Sequence, residues 1–260
     1  MTSQTTGSAK DRALGPLGPP SAPDDRSSHG HRQLIGILGL ILPVTLWGVA
    51  SWRRTTGLPQ WEPLDSVSSY YYSGAVAIFI GILAALAVFL FTYRGYANKD
   101  NRRDRRAATV AGTAAAVVAF FPTSAPLALP APTWWTEDAG KIHFVAAVIL
   151  FGAFSYISLF LFTKSNVPKG QGVPTEKRAR NKIYVACGLG MVACIAWAGI
   201  ATFNDVPIFV PEALALEFFA ISWLVKGHVD ETAVDAGKAT LHYAAHPRQL
   251  AGKVWGAIRE

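Results

Sequence analysis

The feature that most limits this chain is the length of its uncharged apolar runs. The first, QLIGILGLILPVTLWGVASW at 33–52, holds no Asp, Glu, Lys or Arg. At 1.5 Å per helical residue, about 20 such residues cross a hydrocarbon core of ~30 Å. Further apolar blocks lie at 72–94, 107–122, 142–163, 183–203 and 209–225. The third, AATVAGTAAAVVAFFP, is short and mildly hydrophobic, and it counts as a crossing because the flanking charges require one. Its Ala and Gly suit a helix surrounded by other helices, where small side chains allow close backbone approach.

Half of the residues are hydrophobic (51%) and few are charged (16%). A soluble domain would disperse that apolar content at a period of 3.6 or 2, whereas here it is blocked. The expectation is an all-α polytopic membrane protein of six transmembrane helices over 32–227. Two short tails flank it. Residues 1–31, rich in Ser, Gly and Pro, cannot bury enough apolar surface to fold and are read as a disordered cytoplasmic segment. That polar lead and the lack of a small-residue cleavage site make the first block a retained span rather than a signal peptide. Pro43 inside it is expected to kink the helix, which neighbouring helices tolerate. No internal repeat marks an inverted-repeat transporter.

The net charge of +7 is distributed by topology. Arg94, Lys99, Arg102, Arg103, Arg105 and Arg106 separate blocks two and three; Lys164, Lys169, Lys177, Arg178, Arg180 and Lys182 separate four and five. The alternate connections hold Asp65, Glu137, Asp138, Asn204 and Asp205, with only Arg53, Arg54 and Lys141 as cations. The positive-inside rule then puts both termini in the cytoplasm of a multi-pass plasma-membrane protein. Because each basic cluster is explained as a topogenic loop, nucleic acid is not expected as a partner. Membrane lipids are, and a second membrane protein is a further candidate.

The tail at 228–260 is read as cytoplasmic. Its RQLAGKVWGAIR stretch sets Leu250, Val254, Trp255 and Ile258 against Arg248, Lys253 and Arg259, the pattern of a helix lying on an anionic membrane surface. His242 and His246 in HYAAH share a helix face, but Pro247 follows them in a polar tail and no metal site is assigned. Cys187 and Cys194 are two turns apart, ~10.5 Å, too far for a disulfide, and read as small packing residues. No cofactor is specified by the sequence.

Polar groups inside the blocks carry whatever chemistry there is. Glu217 stands midway along the last block, where an ionised carboxylate is costly unless it is paired or hydrated. Glu212 follows Pro211 and has a local explanation, an acid in a helix's first turn with Pro at the first position. Depth arithmetic sets Glu217 level with Trp197 and with the turn after Tyr72, and Glu212 near His143. Glu217, Glu212 and His143 are therefore the candidate acid-base groups, and Ser68, Ser69, Tyr71, Tyr72 and Trp197 the candidate ligand-binding residues, in a polar pocket open to the external face. The cytoplasmic half shows no matching set, with Tyr184 nearly alone there. The serines double as N-cap candidates for the second helix. Tyr70, Tyr71 and Tyr72 on one helix spread at ~100° intervals, so one or two belong to the interfacial belt with Trp52, Trp61, Trp134 and Trp135, and at most two turn inward.

The succession SVSSYYYSG, FIGILAALAVFLFTYRGY, a basic loop, VVAFFPTSAP, IHFVAAVILFGAFSYISLFLF and EALALEFFAISWLVKG resembles a family of small six-helix bacterial inner-membrane proteins of unknown function, over about residues 33 to 227. The resemblance implies the fold and no activity. A remote likeness exists to intramembrane hydrolases of the alkaline ceramidase and adiponectin-receptor type, but those hold zinc with several intramembrane histidines and only His143 lies in a span here. Three readings stay open: a non-catalytic lipid-binding or assembly subunit, which leads; a membrane-embedded lipid hydrolase or transferase using Glu217 or Glu212 with His143; and a small proton-coupled transporter titrating Glu217.

Overall fold

The computed structural model describes residues 24–53, 60–93, 101–126, 131–164 and 175–228. Among them the chain is all-helical: α1 (Asp24–Arg53), α2 (Val76–Thr92), α3 (Asn101–Phe120), α4 (Glu137–Tyr156), α5 (Thr175–Phe203) and α6 (Phe209–Lys226). A five-residue 3₁₀ turn, Ser68–Tyr72, precedes α2, and α4 runs on through a π-helical turn, Ile157–Leu161. Three stretches, His29–Arg53, Glu137–Leu161 and Thr175–Phe203, are long and apolar enough to cross a membrane; Val76–Thr92 is apolar but shorter. α3 opens on four arginines, and α6 carries two acids and a lysine, which dilutes both. Most of the tail at 228–260, with HYAAH and its amphipathic stretch, lies outside the described residues, as do residues 1–23.

Each helix packs on the next in chain order and α6 returns to α1, closing a ring whose sparsest joins are α1–α2 and α4–α5. Small residues set the close approaches. A Cβ on Gly39 of α1 would meet the Phe219 ring of α6 at 2.8 Å, and one on Gly36 would come within 3.0 Å of the Ala220 carbonyl. A column of aromatic rings fills the interior: Phe154 stacks on Phe219 at 3.7 Å, Trp223 lies 5.0 Å from both Tyr93 and Phe162, and Phe162 lies 5.4 Å from Tyr184. The outer surface is also apolar, with Val44, Val88, Phe144, Leu189 and Ile200 exposed. A water-soluble protein rarely presents so continuous an apolar exterior, whereas a bilayer solvates it.

Helix boundaries depart from the apolar blocks. α1 begins nine residues before its block (24 against 33), α3 takes in the arginines at 102–106, and α5 takes in the basic residues at 177–182. Arg and Lys are good helix formers, so α3 and α5 continue past their apolar portions. Pro43 is accommodated within α1. The N-cap expectation fails: the cap position of α2 is Ala75, without a side-chain bond, and the serines are used before the helix starts.

Candidate functional site

The segment before α2 folds into the 3₁₀ turn because its hydroxyls take up its own backbone groups. Ser66 Oγ accepts from the Ser69 N–H at 2.9 Å and lies 2.8 Å from Ser69 Oγ, while Ser73 Oγ donates to the Tyr70 carbonyl at 2.8 Å. Such local bonds compete with the α-helix. The three tyrosines therefore stand on a separate turn and not on α2. Tyr70 is buried, and its hydroxyl accepts from the Leu64 N–H at 3.3 Å. Tyr72 donates to the Thr123 carbonyl at 2.6 Å, and Tyr71 packs edge-on against Tyr72 and Phe79. Tyr70 and Tyr72 both bond backbone groups, and neither meets an acid.

This turn is strapped to the start of α6 in both directions. The Asp65 carbonyl accepts from the Ile208 and Phe209 N–H groups at 2.6 and 2.9 Å, satisfying donors that a helix N-terminus leaves over. In return Glu212 Oε2 accepts from the Val67 N–H at 2.7 Å. Pro211 is the third residue of α6, where its missing N–H is still one of those without an intrahelical partner.

His143, in the second turn of α4 behind the Thr136 cap, completes the arrangement. Its Nδ1 lies 2.5 Å from the Phe121 carbonyl at the end of α3, and its Nε2 lies 2.9 Å from Ser68 Oγ. A carbonyl oxygen only accepts, so Nδ1 carries the proton and Nε2 offers a lone pair to the Ser68 hydroxyl. His143 and Ser68 are both buried.

Beside them is a cavity of about 180 Å³ between α4, α5 and α6. Ser66, Ser68, Thr123, His143 and Glu212 make one end polar; Val148, Phe151, Ile195, Ala198 and Ala215 make the rest apolar. Phe144 and Val148, two of its wall residues on α4, are exposed on the outside of the ring, so the cavity opens sideways through the sparse α4–α5 join. Of the residues expected from sequence, Ser68, His143 and Glu212 come together here. Ser69 and Tyr72 support the turn from behind, and Tyr71 stays half-buried against its neighbours. Glu217 is half-buried on α6, does not line the cavity and has no hydrogen-bond partner among the described residues; Trp197 faces outward. Sharing a depth with the site, as the arithmetic had it, does not bring either residue into the cavity.

The expectation of a bare opposite end is also corrected. Arg32 and Lys226 are buried there with Asp104, the Lys226 ammonium lying 5.1 Å from the Phe162 ring and the Arg32 guanidinium 5.9 Å from Tyr93. Lys177 donates to the Phe162 carbonyl at 2.8 Å and sits 5.4 Å from the Tyr184 ring, and Lys164 pairs with Asp104 at 3.7 Å. Aromatic faces give these cations a tolerable interior. Among the described residues no group of three or more His, Cys, Asp or Glu is placed to hold a metal ion. Compared with protein-family models, curated proteins and solved structures, the chain matches none of them.

Proposed function

We infer that the chain is a six-pass membrane protein with both termini cytoplasmic, and that the cleft between α4 and α5 holds a membrane amphiphile with its polar part at Ser68, His143 and Glu212. The observation that carries this is the division of the cavity itself. One end offers hydroxyl, imidazole and carboxyl groups, the remainder is apolar, and the open side faces the hydrocarbon-compatible exterior. A ligand with one polar and one apolar part, entering laterally from the bilayer, matches that division; a polar solute would leave most of the wall uncompensated. Burial of cations at the opposite end of the bundle and exposed arginines at the start of α3 support the orientation that the positive-inside rule requires.

Native mass spectrometry of the protein in mild detergent tests the cleft. Wild type is expected to retain one lipid class at about one molecule per chain. Ala198→Phe, which places a ring in the cavity from α5, is expected to lose it without loss of the helical fold by circular dichroism. Equal retention by this variant would move the ligand elsewhere on the protein.

A further inference from the structure

Resting on the cleft reading, we propose that Ser68 is a nucleophile and His143 its general base, acting on the acyl ester of the amphiphile held in the α4–α5 cleft. The argument begins with the proton inventory. The Phe121 carbonyl fixes the proton on Nδ1, so the lone pair of Nε2 points at the Ser68 hydroxyl 2.9 Å away. That is the arrangement an activated serine requires: a hydroxyl within hydrogen-bond reach of a base, and the base oriented by a third group. Here a backbone carbonyl does the orienting that a carboxylate does in the familiar triads.

Position separates this pair from an ordinary buried Ser–His bond. A bond serving packing alone is content in a closed core, whereas Ser68 and His143 both line the cavity wall, at its polar end, beside the apolar length an acyl chain would fill. Ser68 is also held still. The N–H of the preceding residue is clamped by Glu212, and the following residue is bonded on both its N–H and its hydroxyl by Ser66. A fixed nucleophile avoids the entropy cost of being oriented during reaction. Glu212 is in this scheme a positioning residue, since it acts on the turn.

The chemistry balances with water as the only co-reactant. Ser68 Oγ attacks the ester carbonyl carbon while its proton passes to His143 Nε2. The tetrahedral adduct collapses by breaking the bond to the alcohol oxygen, which leaves with that proton. Water then attacks the acyl-Ser68 ester, giving its proton to Nε2, and Ser68 recovers a proton as the carboxylic acid departs.

The test uses the full chain in detergent and a long-chain fluorophosphonate, which phosphonylates activated serines. The expected result is one adduct per chain by intact mass, mapped to the peptide holding Ser68, absent in Ser68→Ala and formed at least ~100-fold more slowly in His143→Gln. Retention of the native lipid and thermal unfolding of each variant are measured alongside. Wild type that retains lipid but takes no adduct, or labels at an unchanged rate in a folded His143→Gln, overturns the nucleophile and leaves the cleft standing. Loss of lipid specificity in wild type overturns the cleft and this inference with it. If His143→Gln does not fold, Ser68→Cys in a Cys194→Ala background decides, since Cys194 lines the same cavity: the thiol at position 68 is expected to react with a long-chain chloroacetamide ahead of the buried Cys187, and an inert thiol there overturns the proposal.

Discussion

At the scale of single residues, Glu212 and Glu217 show what one sequence can and cannot specify. Both acids fall in an apolar block, and composition alone favours Glu217 because it lies deeper. Five residues apart on an α-helix, they point about 140° away from each other. A helix that turns Glu212 onto the Val67 N–H must direct Glu217 elsewhere, and rotation about a helix axis leaves no trace in depth arithmetic. His143 and Ser68 were legible as polar intruders, but their pairing was not, because 75 residues separate them. The role of Glu212 yields a sharp expectation. Val67 is buried, so Glu212→Ala strands its N–H at a cost of about 1–3 kcal/mol. Glu212→Gln keeps an amide oxygen for that bond and should lose clearly less. Thermal unfolding of both variants in one detergent checks this, and equal losses would mean that the carboxyl does more than clamp the turn.

Among the elements, the order of the six described helices was legible in the order of the apolar blocks, and their ends were not, because in α3 and α5 Arg, Lys and Ala extend the helix past its apolar portion. The 3₁₀ turn leaves little trace in the sequence for a related reason: SVSSYYYSG carries no Gly or Pro ahead of Ser73, and only its serine hydroxyls break the helix. Nor does ISLFL announce a π turn. That turn packs closely on its neighbour: a Cβ on Gly188 of α5 would stand 2.3 Å from the Leu159 side chain, and Ser158 donates to the Tyr184 carbonyl at 2.9 Å. Glycine is thus informative where another helix leans on it. Gly39→Ala should destabilise the bundle by about 1–3 kcal/mol, because the Phe219 ring it meets is wedged against Phe154 and cannot retreat. Gly81 of α2 has open space around the same atom, and Gly81→Ala should be neutral or stabilising by up to about 1 kcal/mol. Thermal unfolding of the two variants side by side separates contact from backbone entropy; a loss at Gly81 as large as at Gly39 would remove the packing explanation.

For the molecule as a whole, the proposed orientation decides which leaflet supplies the cleft. The polar end of the cavity shares its end of the bundle with exposed Trp52, Trp61 and Trp134, suited to an interface, while the opposite end gathers buried Arg32 and Lys226 and the exposed arginines of α3. Moving that many cations across a bilayer is costly, so the asymmetry favours the basic end inside. Labelling with a membrane-impermeant maleimide in intact cells tests it directly, because the native Cys187 and Cys194 are buried and contribute little background. Glu62→Cys, exposed beside the 3₁₀ turn, is expected to react in intact cells, and Arg103→Cys, exposed near the start of α3, only after permeabilisation. The reverse pattern would invert the protein. Ser68, His143 and Glu212 would then face lipid drawn from the cytoplasmic leaflet, so the class of amphiphile recovered from the cleft and the labelled side must agree for the proposed function to hold.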